Sequence, residues 1–267
     1  MTEKFTYTET ELQALLEGIA SGTISEYAIP ESLYLKIADY LKNGLYSGFG
    51  GTLADFGGSD LELLTELREN IYMFSAAKSY AELKEIGSLM FDESGNLRSN
   101  REFNQLASQT FETWNGAWGL TEYSTAEGQA QMASKWQEIE RNADLLPILE
   151  YSAIGDACAI CQPLDGLTAP VDDPIWGTIS PLNHFNCECV LIQHEGDKTL
   201  TPSSEKDEVY KDVASKMSDM FKMNPGIDRY VFSPDHPYFD VAPKDRDFAK
   251  TNFGLPIPKT DEPIKIK

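Results

Sequence analysis

No stretch of the 267-residue chain approaches the roughly 18 nearly uncharged apolar residues that a membrane-spanning helix needs. The start, Met1-Thr2-Glu3-Lys4, is not followed by the apolar run of a secretory signal, so the sequence predicts a soluble chain made in the cytoplasm. Bases are scarce, 22 against 43 acids, for a net charge of −21. Residues 201–267 hold 12 acids and 11 bases, which leaves −20 on residues 1–200. Wrapping nucleic acid needs clustered Lys and Arg, so the main body is not expected to bind DNA specifically. A glycine-rich phosphate loop with its lysine, a Gly-x-Ser-x-Gly elbow and a His-Glu-x-x-His helix are all missing, which removes the common short signatures of nucleotide, serine and zinc hydrolases.

What is present suffices for a folded core. Hydrophobic residues make up 41% of the chain, and its length allows one or two domains. Leu12, Leu15, Leu16 and Ile19 recur at helical spacing, with Gly22 as a stop. Pro30 opens a second helical run with Leu33, Ile37, Tyr40 and Leu41 as its stripe. Gly44, Gly48, Gly50 and Gly51 after it read as loop. Ser59 with Glu62 spells a capping box ahead of Leu63, Leu67, Ile71 and Phe74, predicting a long helix to about Met90, with Ser75 a point of interruption. Ser99 with Glu102 spells another, opening a helical region that runs to about Glu140 despite Gly116 and Gly119. Glu112 and Glu122 stand near its tryptophans and read as the solvated edge of a core face.

From Pro147 the texture changes. Ile148–Ile154 reads as a strand, Gly155–Pro181 as loop, Cys189–Ile192 as a return strand, and 201–221 as a last helix. The expected fold class is α+β: a mainly helical N-terminal body, then a small strand-and-loop region stapled by a Cys/His site, with an irregular C-terminal tail. The corresponding segments are 1–50 (helical arm), 51–145 (helical body), 146–200 (strand-loop-strand module) and 201–267 (helix and extended tail). No internal repeat interrupts this order.

All four cysteines lie within this module, as Cys158-x-x-Cys161 and Cys187-x-Cys189, with His184 just ahead of the second pair. A Cys-x-x-Cys turn offers two thiolates to a tetrahedral ion, and a second turn across the loop completes the set. Five donors compete for four places. Cys187 and Cys189 are read as competitors for one place, with at most one of them a ligand if the strand starts early. The preferred set is Cys158, Cys161, His184 and Cys187, with Cys189 as the replacement for Cys187. Soft sulfur and nitrogen donors suit zinc better than a hard cation, as a folding staple. Free buried thiols or a disulfide are the alternatives, the disulfide disfavoured in a reducing cytoplasm. Asp165-Gly166 reads as a turn, and neither His194 nor His236 has a cluster around it.

Taken together, Cys158 and Cys161, Leu164-Asp165-Gly166, Asp173-Pro174-Ile175-Trp176 and Pro181-Leu182-Asn183-His184-Phe185-Asn186-Cys187-Glu188-Cys189 resemble the phage head morphogenesis proteins, or minor head proteins, of the Mu F-like kind. Phe74-Ser75-Ala76-Ala77-Lys78, the Trp114–Ala126 stretch and Ala133-Ser134-Lys135-Trp136 extend the resemblance upstream, over residues 30–195. Glu188 departs from it, since the family usually has arginine there. The resemblance implies a structural, non-enzymatic protein of the virion head near the portal vertex, acting in head assembly and DNA packaging or ejection. Its partners would be the portal and other head proteins, with packaged DNA nearby but not specifically bound; neither a membrane nor a small-molecule substrate is expected. The competing reading is a phage- or toxin-derived metal-dependent hydrolase, which would need an open coordination position or a polar cleft. The proline-rich tail is expected to dock, extended, along another subunit.

Overall fold

A computed structural model describes residues 5–154 and 158–261. Five helices come first: α1 (Glu9–Ala20), α2 (Glu31–Phe49), α3 (Gly58–Ser88), α4 (Asn100–Phe111) and α5 (Trp118–Asn142), with a π-helical turn at Glu112–Ala117 joining the last two. Strand β1 (Ile148–Ser152), strand β2 (Thr168–Pro170), the short helix α6 (Trp176–Ile179) and strand β3 (Val190–His194) follow, then α7 (Ser203–Lys216), α8 (Pro225–Asp228) and α9 (Arg246–Lys250). This is the expected α+β chain with a mainly helical body. Among the described residues, no helix is long and apolar enough to cross a membrane.

Local signals explain some helix starts. The Ser99 hydroxyl accepts from the Glu102 N–H, and the Glu102 carboxylate accepts from the Ser99 N–H, so α4 starts on a complete capping box. Helix α3 begins at Gly58, so Ser59 stands in its first turn and not before it. Ser75 does not interrupt α3, because its hydroxyl donates to the Ile71 carbonyl one turn back. Gly44 and Gly48 are helical, which corrects the loop reading. A Cβ on Gly48 would lie 1.9 Å from the Glu127 carbonyl oxygen, so glycine is there to let α5 approach the α2 backbone.

The described residues fall into two compact units, the first within 1–41, 69–122 and 237–267, the second within 42–68 and 123–236. In the first, Tyr34 and Ala38 of α2 pack with Tyr72, Ala76, Ala77 and Tyr80 of α3 and with Val241, Phe253 and Leu255. The C-terminal stretch is irregular but not free. Phe253 stacks on Tyr80 at 4.8 Å, the Tyr34 hydroxyl donates to the Pro256 carbonyl, and those of Tyr27 and Tyr80 donate to Asp245. Residues 237–261 therefore cover their own chain's core, where a tail extended away from it was expected. Aromatic residues spaced between prolines supply the apolar area for it.

The second unit contains the antiparallel sheet, in the order β2-β1-β3. Leu149 is paired with Ala169 on one side and Gln193 on the other. Alternation puts Leu149, Tyr151, Ala169 and Leu191 in a core with Trp136 and Ile139 of α5, Trp176 of α6 and Val213 of α7, while Val190 and Ile192 face out. The Asn224-Pro225-Gly226 stretch closes this core. The Asn224 side chain donates to the Trp176 carbonyl and accepts from the Gly226 N–H, and Gly226 lies so close to Trp136 that a Cβ would meet that side chain at 2.4 Å.

Candidate metal centre

The first donor turn follows β1. The Gln162 N–H donates to the Cys158 carbonyl and the Leu164 N–H to the Cys161 carbonyl, closing a tight turn with Pro163 inside it. Asp165 fastens that turn by accepting from the Ala153 N–H at 2.9 Å, so its role is structural. The second turn closes from the Cys187 N–H to the His184 carbonyl, with Asn186 at φ 58°, a left-handed conformation that asparagine tolerates better than most residues.

β3 begins at Val190, one residue later than expected. Cys187 and Cys189 therefore lie in the turn ahead of the strand, and since residues two apart would share a face even within a strand, spacing excludes neither thiol. Cys161, Cys187 and Cys189 bring their sulfur atoms within 4.8 Å of one another, and Cys158, Cys161 and His184 do the same with their donor atoms. Cys161 is common to both groups. Cys161 and Cys187 are buried, Cys158 and Cys189 half-buried, and all four are free thiols.

The Cys161 and Cys187 Sγ atoms are 3.8 Å apart. Two thiolates on one tetrahedral zinc, each at about 2.3 Å from the ion, are separated by about 3.8 Å, so this spacing fits a shared ion. The His184 Nδ1 lies 2.7 Å from the Phe185 carbonyl oxygen. A carbonyl only accepts, so Nδ1 carries a proton and Nε2 is the nitrogen left to face a metal, the arrangement a ligating histidine adopts. The residues present thus fit a soft metal ion.

The thiols perturb one another. Hydrogen bonding with Cys187 and then Cys189 pushes the Cys161 thiol well above its usual range. Cys187 is lowered by its bond with Cys161, but the contact with Cys189 and burial leave it raised. Cys189, hydrogen-bonded by Cys161 and then Cys187, is held far below the ordinary value. Three sulfur atoms this close cannot all be ionised cheaply on their own, and a cation that replaces their protons relieves that repulsion.

Tyr151 is the neighbour that sequence reasoning missed. Its hydroxyl is 3.4 Å from the Cys161 sulfur and 2.9 Å from the Asn183 side-chain amide. The alternation of β1, which sends Tyr151 inward with Leu149, was the signal that could have found it. The other histidines are elsewhere: His194 pairs with Glu150 at 2.7 Å on the outer sheet face, and His236 packs against Phe232.

Residues 105–192 match the model of the family described as phage Mu protein F like protein. The matched segment contains all five donors, both turns and the whole sheet apart from the end of β3, so the Mu F-like resemblance is shown where the site lies. It supports a phage head morphogenesis protein. No curated protein and no solved structure matches the chain.

Proposed function

We propose that the chain is a minor head protein of a tailed bacteriophage, located in the virion head at the portal vertex, where it acts in head assembly and in packaging or ejection of DNA. The convergence of Cys158, Cys161, His184, Cys187 and Cys189 inside the Mu F-like segment carries this reading. The role is structural. Helical surfaces provide rigid packing area, and the portal and other head proteins are the partners. Packaged DNA lies nearby without being specifically bound, in keeping with the charge of −21.

Zinc is the ion that the donor set suits, and four of the five donors hold it. When bound, the ion supplies cross-linking and no reaction. Cys161 anchors the turn after β1 and Cys187 the turn before β3, so coordination ties together two loops that already share one hydrophobic core. Tyr151 and the Phe185 carbonyl orient the donors from outside.

The test is co-expression with the cognate portal protein, followed by native mass spectrometry of the purified assembly. A defined complex retaining one zinc per chain supports both the portal assignment and the metal staple. Absence of any complex over a range of salt concentrations overturns the portal assignment and favours the hydrolase reading.

A further inference from the structure

The first unit buries a polar cluster remote in character from the metal centre. Lys78 and Glu82 of α3, Asn115 of the π-helical turn and Glu122 of α5 are each no more than 5% exposed. In that turn the Trp118 N–H donates to the Thr113 carbonyl, five residues back, and this spares the Trp114 carbonyl. The Lys78 ammonium takes the spared carbonyl at 2.6 Å and the Glu122 carboxylate at 2.5 Å. From the C-terminal segment, the Tyr238 hydroxyl donates to the other Glu122 oxygen at 3.1 Å, and its ring stacks on Trp114 at 5.1 Å.

Counting charge in this cluster leaves Glu82 over. The one ammonium is matched by Glu122. Glu82 receives only the Asn115 amide on one oxygen, and its other oxygen has no hydrogen-bond partner among the described residues. A carboxylate buried without its own cation is far costlier than the neutral acid. We propose that Glu82 is a proton-binding site: it stays protonated in the folded chain at neutral pH, and its ionisation in mildly alkaline solution loosens the Tyr238 anchor of the C-terminal segment.

The groups facing Glu82 are Lys78 and Glu85 from α3, Asn115 from the π-helical turn, Glu122 from α5, Tyr7 from the N-terminal stretch and Tyr238 from the C-terminal segment. Burial pushes the Glu82 carboxyl up to about 8; Lys78 and then Asn115 pull it down, while Glu122 and Glu85 raise it. The folded value lies above the ordinary 4.5. The native state therefore holds a proton that the unfolded chain has lost. Its contribution to stability is complete below 4.5 and declines as the pH rises to about 8. Ionised Glu82 then competes with Glu122 for Lys78, and Glu122 is the group that Tyr238 grips.

Infrared spectroscopy of the full chain in heavy water tests this directly, because exposed acids are ionised at neutral pH and only a buried neutral carboxyl leaves an acid carbonyl band. The expected result is one such band at neutral pH that bleaches between about pH 7 and about pH 9 and is absent from Glu82→Gln. Over the same range, proteolysis within residues 237–261 should accelerate several-fold in the unmodified chain and stay flat in Glu82→Gln. No acid band in the folded unmodified chain, or a band that persists in Glu82→Gln, overturns the proposal. If the variant does not fold, bleaching of the band in the unmodified chain supports it and a missing band overturns it.

Discussion

Cys161 and Cys187 stand 26 positions apart in the chain, yet their sulfur atoms are 3.8 Å from each other. Cys161 is also the only donor shared by the two groups, one completed by Cys158 and His184, the other by Cys187 and Cys189. Every tetrahedral set drawn mainly from either group therefore uses it. Cys161→Ser should abolish zinc retention, whereas His184→Ala or Cys189→Ser, each leaving the shared donor in place, should weaken it by a smaller factor. Metal content after gel filtration, with affinities from competition against a chromophoric chelator, checks the ranking. Full zinc retention by Cys161→Ser would sink the shared-donor assignment.

Removal of the ion should be felt as stability, since binding energy at a structural zinc site is folding energy. A strong chelator is expected to lower the thermal midpoint of the second unit and to expose the 158–189 loop to protease, and added zinc should restore both. An unchanged melting curve in chelator would mean that the thiols pack without a staple.

The cysteine and histidine spacing was legible because it is local: turns of two to three residues place donors without knowledge of the rest of the chain. The same holds for the Ser99 and Glu102 cap. Selection among the five donors was not legible, because spacing lets both Cys187 and Cys189 face the site, and only the fold of the turn ahead of β3 decides which sulfur atoms meet Cys161. Lys78 and Glu122 each lay in stretches noted for their family resemblance, but their pairing is a contact between two helices that no single window contains. Glu122 was expected at a solvated edge and is buried for this reason. The C-terminal prolines suggested an extended tail; what they hid was that Phe253 and Leu255 find their partners on α2 and α3.

Gly48, in the last turn of α2, offers a second check on packing. An added methyl at Gly48 would collide with the Glu127 backbone, which cannot rotate aside as a side chain can. Gly48→Ala gains at most about 1 kcal/mol of helix propensity, but overpacking against backbone costs about 1–3 kcal/mol or more. Net destabilisation is expected, measured as a lower urea midpoint. A stabilised variant would show that α5 yields at this contact.

Asp245 ties the C-terminal segment to α3 through a carboxylate that accepts from Tyr80 at 2.7 Å and from Tyr27 at 2.9 Å. The Tyr80 hydrogen bond is the main cause that holds its carboxyl below the ordinary 3.8, with the Tyr27 hydroxyl and the nearby Lys244 and Lys84 acting in the same direction against burial. The folded chain therefore binds this proton less readily than the unfolded chain does. The stabilisation is complete above 3.8 and is lost as the pH falls through the lower folded value. Asp245→Asn keeps the shape and removes the charge, so at neutral pH it should be less stable and release residues 246–261 to protease faster. It should also lose less further stability on acidification than the unmodified chain does. Urea titrations of both chains at neutral and acidic pH measure the two slopes, and equal slopes would show that Asp245 is held by packing and not by its charge.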